Sequence, residues 1–249
     1  MASDVETPSV PQAQPTSTED MPLLGRVGDA SQREGNPLYA NLIIGTAVLA
    51  QAGIILLTAA VWASIFLHNV TLFSYHPLLN SAGILLLTQA ILILQPTRTA
   101  SQKRDGTVAH ALLIGVGFSA LVAGLVVIEY NKFSHNGAHF KSNHAILGFV
   151  TYFILVIQSV VGFTQYYTPL LYGSVANAKA IYKYHRASGY ITLILMLATV
   201  ATATKTTFNI NVLHLKLWVV ITTSALVLIG IIPRIRLYKL GLKPRPAGL

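Results

Sequence analysis

Six stretches of this chain are long enough to cross a bilayer and carry almost no charge. A helix needs about 20 residues to cross roughly 30 Å of hydrocarbon, so such stretches are typical of membrane spans. Every backbone N–H and C=O inside lipid must be paired within the protein, so each span is predicted to be a helix. The spans are expected at about 38–67, 78–94, 108–128, 145–166, 187–204 (its helix starting earlier, near Ala178) and 217–233.

The composition supports a membrane protein and excludes several other classes. Only 10% of the residues are charged, against about 25% in soluble domains, so a soluble globular enzyme is excluded. The chain has no cysteine, which excludes disulfides, Cys-ligated zinc and iron–sulfur clusters. The net charge is +9, but the basic residues lie between long uncharged runs. This pattern indicates contact with membrane lipid and no nucleic-acid partner.

The two ends of the chain differ from the apolar middle. Residues 1–36 hold six acidic residues and are rich in Pro, Ser, Thr and Gln. Such a segment buries too little apolar surface to offset its ordering entropy. We therefore predict a disordered acidic cytosolic tail over 1–36, a transmembrane domain over 37–236 and a basic cytosolic tail over 237–249.

The short string around Leu23 and Leu24 resembles an acidic dileucine sorting signal. Glu19 stands four residues before the first leucine, and the predicted topology puts the string in the cytosol. Such a signal indicates vacuolar or endosomal membranes, although strings this short also occur by chance.

The Lys and Arg residues predict the orientation in the membrane. One side of the membrane collects thirteen of them and the other side only four, Lys132, Lys141, Lys205 and Lys216. Because short cytosolic loops carry the excess of Lys and Arg, both termini are predicted to be cytosolic. The N-glycosylation sequon at Asn69 falls on the far side, as a glycan requires.

Four histidines stand at or near the starts of successive spans: His76, His110, His144 and His185. Successive helices are antiparallel, so His76 and His144 are expected toward the non-cytosolic face, and His110 and His185 toward the cytosolic face. An imidazole in or near hydrocarbon is costly without a partner, and a metal between two imidazoles is one such partner. In an up-down bundle of helices two to five the members of each pair lie on diagonal helices, where a bundle holds a cofactor in its core.

A glycine follows each of these histidines at helical spacing. Positions i+4 and i+7 share the face of residue i, so a bare backbone there leaves room for a flat porphyrin. The alternative is helix packing, because small residues commonly line contacts between membrane helices. The glycines are Gly83, Gly117, Gly148 and Gly189, and Gly124 continues the strip below His110.

At these residues the chain resembles the cytochrome b561 family, over about residues 40–236. The similar segments are SYHPLLNSAGILLLTQAILIL, HALLIGVGFSALVAGL, HFKSNHAILGFVTYFILVIQSVVGF and YHRASGYITLIL. Three motifs within these segments most resemble the short, stand-alone members of that family: HPLL in the first segment, HFKSNH and YHRASGY.

The resemblance implies an all-α fold of six transmembrane helices with a central four-helix bundle, helices two to five, that binds two haem b. It implies axial iron ligation by His76 with His144 and by His110 with His185. The implied activity is transmembrane oxidoreduction, from cytosolic ascorbate or an analogue to monodehydroascorbate or a ferric chelate. Similar members are often homodimers.

Five further residues are candidates for substrate binding. Lys103, Arg104, Lys183 and Arg186 lie near the cytosolic histidine pair and would bind an anionic donor through charge-assisted hydrogen bonds. The positive-inside rule alone explains them equally well. His139, in the family-like HFKSNH run, would contact a ferric complex or pass a proton to the acceptor, because imidazole titrates near neutrality. The alternative is an ordinary loop histidine.

A second function remains open from the sequence, a non-haem membrane transporter or metal-binding membrane protein. Its main support is HNGAH, where His135 and His139 have the i,i+4 spacing of helical metal ligands. Against it, the span interiors lack the carboxylates of an ion-driven carrier, apart from Glu129 near one end.

Overall fold

The computed structural model describes residues 30–242, and this part of the chain is helical without strands. Six helices are long and apolar enough to cross a membrane. The all-α membrane fold is therefore confirmed. The helices are α1 (Ala47–Phe66), α2 (Tyr75–Leu94), α3 (Ala100–Ser134), α4 (Asn143–Tyr167), α5 (Val175–Ala203) and α6 (Leu217–Ile231).

Polar caps start three of the helices, and two of them start earlier than hydropathy indicates. Thr99 and Gln102 form a reciprocal capping box at α3, and Ser142 and Ser174 cap α4 and α5 through backbone N–H groups. The α3 helix begins at Ala100, before the predicted apolar span at 108, because its first two turns are polar, and α5 begins at Val175, within one turn of the predicted start near Ala178. The eight extra residues at α3 add about 12 Å of helix.

The four helices of the central bundle pack most extensively in two pairs, and α3 and α4 meet more loosely, through the hydrogen bond from the Tyr152 hydroxyl to the Leu121 carbonyl oxygen. The α2 helix packs along α3, α4 packs along α5, and α2 also touches α5. Consequently α2 lies diagonally from α4, and α3 from α5, as expected for the central bundle. The α1 helix packs against α2 and α6, and α5 touches α6.

The closest approach outside the bundle is between α1 and α6. A Cβ added at Gly53 would stand 2.5 Å from the carbonyl oxygen of Thr223, and one added at Gly230 would collide with the backbone of Ala50. Thr46 Oγ1 also donates a 2.8 Å hydrogen bond to the Gly230 carbonyl. Small residues thus let two backbones meet, the usual way membrane helices gain packing energy.

The two ends of the bundle are named here by their residues. The terminal face comprises residues 30–46, 95–99, 168–174 and 232–242, and the opposite face comprises residues 67–74, 135–142 and 204–216. Asn69 of the sequon is exposed on the opposite face.

On the terminal face, basic residues after α6 bind the carbonyl end of α2. Arg234 Nη2 donates to the Leu92 carbonyl oxygen at 3.4 Å, and Lys239 Nζ donates to that of Thr97 at 3.0 Å. Cations are favourable there because the C-terminal end of a helix carries partial negative charge. Burial, together with the neighbouring Arg236, lowers the pKa of Lys239 to about 7.

Residues 30–36, which composition assigns to the N-terminal tail, pack against this end of the bundle. Gln32 is buried, and its backbone N–H donates to the Pro96 carbonyl oxygen at 3.1 Å. Arg236 donates to the Ala30 carbonyl oxygen at 2.9 Å. The packed domain therefore extends beyond both predicted boundaries, 37 and 236. The dileucine-like string lies outside the described residues.

Candidate functional site

Two of the four histidines occupy equivalent places at the opposite face. His76 is the second residue of α2, and His144 is the second residue of α4. The Nδ1 atom of His76 lies 2.9 Å from the Gly124 carbonyl oxygen, and Nδ1 of His144 lies 2.9 Å from that of Thr199. A carbonyl oxygen only accepts, so each Nδ1 carries the proton and each Nε2 keeps its lone pair for a metal.

The rings of His76 and His144 face each other across the diagonal of the bundle. Their centroids are 6.1 Å apart and their planes are inclined by 82°. Metal–imidazole bonds are about 2 Å long and the bonding nitrogen lies about 1 Å from the ring centre, so a shared metal places two centroids about 6 Å apart. The separation is the one expected for two imidazoles that share a metal, so His76 and His144 fit as residues that would hold one haem iron between them.

The other two histidines lie deeper, each the eleventh residue of its helix. His110 Nδ1 lies 2.8 Å from the Ala90 carbonyl oxygen and is oriented as in the first pair. His185 Nδ1 is buried without a hydrogen-bond partner among the described residues. Its ring lies against Gly162, where an added Cβ would be 2.7 Å from Cε1. These two rings make no close contact of the kind seen between His76 and His144, and His185 lacks the Nδ1–carbonyl bond that orients the other three rings.

A polar network around His76 was not predicted from the sequence. The Tyr152 hydroxyl lies 2.7 Å from Asn80 Oδ1 and 2.6 Å from the Leu121 carbonyl oxygen. Asn80 Nδ2 in turn donates to the His76 carbonyl oxygen at 2.7 Å. These bonds connect α2, α3 and α4 behind the candidate ligand. The i,i+4 spacing of His76 and Asn80 was the only sequence signal available.

A second network supports His185. Gln158 Nε2 donates to the His185 carbonyl oxygen at 2.6 Å, and the Ser188 hydroxyl donates to Gln158 Oε1 at 2.6 Å. Gly189 faces the same amide, since an added Cβ would lie 3.0 Å from Gln158 Nε2. Both candidate pairs therefore have polar support from a neighbouring helix.

Three of the five glycines near the histidines serve helix packing, and for these three the interpretation as room for a porphyrin is wrong. A Cβ at Gly83 would lie 2.5 Å from Leu121 Cγ, and one at Gly117 would lie 2.5 Å from Leu87 Cδ1. A Cβ at Gly124 would collide with the Asn80 side chain. These three glycines bring α2 and α3 together, whereas Gly148 has only Thr199 Cγ2 nearby, at 3.7 Å.

The four candidate donor-binding cations divide into two groups. Lys103 and Arg104 are exposed near the start of α3, and Lys183 is exposed in the third turn of α5. Arg104 Nε also lies 3.5 Å from Asp105 Oδ1, an exposed pair of little energetic weight. Arg186 is half-buried and donates to the Lys239 carbonyl oxygen at 3.1 Å, so it already has a structural partner.

On the opposite face His139 is paired with the last acidic residue of the chain. Its Nδ1 lies 3.1 Å from Glu129 Oε2, and its ring centroid lies 5.3 Å from that of Phe133. His135 ends α3 and His139 lies in the following loop, so the i,i+4 pair is not on one helix. Within residues 30–242 no three His, Asp or Glu side chains converge as a metal site.

A cavity beside His144 was also missed by the sequence analysis. Its volume is about 470 Å³, and its lining includes Asn143, Thr202 and Lys205. The sequence analysis had placed Lys205 only among the four basic residues on the less basic side of the membrane. Its place here gives the opposite face a cation next to a candidate iron ligand.

The family model described as eukaryotic cytochrome b561 matches residues 75–209. The match covers 135 of the 249 residues and spans α2 to α5, the four helices that carry the histidines. No curated protein matches the chain.

Proposed function

This chain belongs to the eukaryotic cytochrome b561 family, a multi-pass membrane family that transfers electrons through b-type haem, and from that premise we propose how it does so. His76 and His144 hold one haem b at the opposite face, and His110 and His185 hold a second toward the terminal face. The observation that carries the proposal is the 6.1 Å approach of the His76 and His144 rings from diagonal helices.

Each residue has a definite task in this arrangement. When bound, haem supplies a reversible one-electron couple, and ligation by two histidines favours electron transfer over oxygen chemistry. The Gly124, Thr199 and Ala90 carbonyl oxygens hold three imidazoles in the tautomer that presents Nε2.

The terminal face is proposed to be cytosolic and to receive electrons from ascorbate or an analogue. It carries the excess of Lys and Arg, as the positive-inside rule requires. Lys183 is exposed two residues before His185 and would attract an anionic donor to that end. The dileucine-like string supports a vacuolar or endosomal location.

The opposite face is proposed to reduce monodehydroascorbate or a ferric chelate. The cavity beside His144 offers Lys205 to an anionic acceptor. His139, held by Glu129 at 3.1 Å, would supply the proton that a reduced acceptor takes up.

Reconstituted vesicles test the proposal directly. Protein in liposomes with ascorbate inside and a ferric chelate outside should reduce the external iron, and dithionite should develop b-haem bands. Protein-free liposomes with the same contents give the leak rate. Haem-loaded protein that ascorbate reduces, but that leaves the external chelate oxidised, would contradict transfer across the membrane.

The exposed Lys183 should contribute to donor binding. We expect Lys183→Gln to raise the KM for ascorbate about two- to fivefold, the size of effect that one exposed charge contributes, with an unchanged rate at saturating donor. Lys179, one helical turn earlier and equally exposed, is the matched control. Equal effects of Lys179→Gln and Lys183→Gln would show that only the general positive potential matters.

A further inference from the structure

Two connections on the opposite face meet through aromatic rings. The α1–α2 connection contributes His68 and Phe73, and the α5–α6 connection contributes Phe208 and His214. The Phe73 and Phe208 centroids are 4.4 Å apart, and those of His68 and His214 are 6.1 Å apart with planes inclined by 56°. Phe73 also lies 6.0 Å from the His76 ring, so this loop cluster borders a proposed haem ligand.

The His68 ring is already oriented for metal binding. Its Nδ1 lies 2.8 Å from the Ser64 carbonyl oxygen, which fixes the proton on Nδ1 and leaves the Nε2 lone pair free. The side chain is exposed just beyond the end of α1, so an ion can reach it from the aqueous side.

His214 is exposed on a turn that is held in place. Its φ of 52° is in the left-handed region, immediately after a short π-helix (Asn209–Leu213). The buried Asn209 donates to the Thr204 carbonyl oxygen at 2.8 Å and to that of Leu215 at 3.0 Å. A ligand on a fixed turn loses little entropy on binding a metal.

We propose that His68 and His214 form a binding site for Cu²⁺ that is separate from the haem ligands. Their 6.1 Å centroid separation equals that of His76 and His144 and suits one shared metal ion. Imidazole suits Cu²⁺, which also has the highest affinity among divalent first-row metals. Within residues 30–242 no third His, Asp or Glu joins the pair, so water completes the coordination and the ion is exchangeable.

Copper titration of the purified protein tests the site. The protein, isolated through a tag without histidine, is titrated with Cu²⁺ by calorimetry, and the bound ion is examined by electron paramagnetic resonance. His68→Ala and His214→Ala should each weaken binding roughly 10- to 100-fold, in the range of losses known for metal-site mutations. The double variant should lose little more than either single variant, because both side chains hold one ion.

The matched control is His135→Ala, because His135 is an exposed histidine on the same face and has no ring partner in this cluster. It should retain the Cu²⁺ affinity and the nitrogen hyperfine pattern of two imidazoles. Unchanged affinity in His68→Ala, or an effect of only one of the two histidines, would overturn the proposal. The b-haem content, measured on the same samples, reports separately on His76, His110, His144 and His185, so either proposal can fail alone.

Discussion

His76→Ala should remove about half of the bound haem, and His144→Ala should remove the same half. With one imidazole gone, the iron of that site loses an axial ligand and the neighbouring carbonyl oxygen loses its donor. The double variant should lose no more haem than either single variant, since residues that act as one unit are not additive. Haem per protein, measured as the pyridine haemochrome, gives the result.

A double variant that replaces one histidine from each pair should lose more haem than either single variant. The His110→Ala variant should also lose about half of the haem, and it should no longer oxidise the donor. The double variant His76→Ala with His110→Ala should bind almost no haem. His135→Ala, in an exposed histidine at the end of α3, is the control and should retain both haems. The assigned pairs would be refuted if the double variant His76→Ala with His144→Ala lost all of its haem, or if it lost no haem.

Gly230→Ala should destabilise the protein by about 1–3 kcal/mol or more, the usual range for overpacking a tight contact. The added Cβ would collide with the backbone of Ala50, which cannot rotate away as a flexible side chain would. The α1 and α6 helices would have to separate. Thermal unfolding in detergent, followed by circular dichroism, should show a lower midpoint.

Gly115→Ala is the matched control, with the opposite expected sign. A Cβ at Gly115 has open space around it, with nothing within 4 Å. The substitution should leave the midpoint unchanged or raise it, because Ala is favoured over Gly in a helix by about 1 kcal/mol. Similar destabilisation by both substitutions would mean that loss of glycine itself, and not the α1–α6 contact, lowers stability.

The sequence alone was sufficient to predict the features that a lipid environment requires. A charged or unpaired group in hydrocarbon is costly, so the six spans and the four histidines stood out without any structure. The start of α3 did not, because its first two turns are polar and depend on a local cap at Thr99. Hydropathy carries no information on such turns.

Contacts between segments that are far apart in the chain could not be predicted from the sequence either. Gly53 and Gly230 gave no signal of mutual packing, since each lies in a uniformly apolar span. Gly83, Gly117 and Gly124 were misinterpreted for the same reason, because a bare backbone suits a flat ligand and a neighbouring helix equally well. Apart from Asn80, one turn after His76 on α2, the members of its supporting network lie on α3 and α4, and no spacing rule connects them to His76.

The α1–α6 contact has a consequence for how the protein is made. The two residues of the Thr46–Gly230 bond are 184 positions apart in the chain, and the α1 helix leaves the ribosome well before α6. Until then the small-residue face of α1 is open to lipid or to the membrane's insertion machinery. The α1–α6 contact therefore forms only after translation of α6, and a chain cut short before residue 217 would leave that face of α1 uncovered.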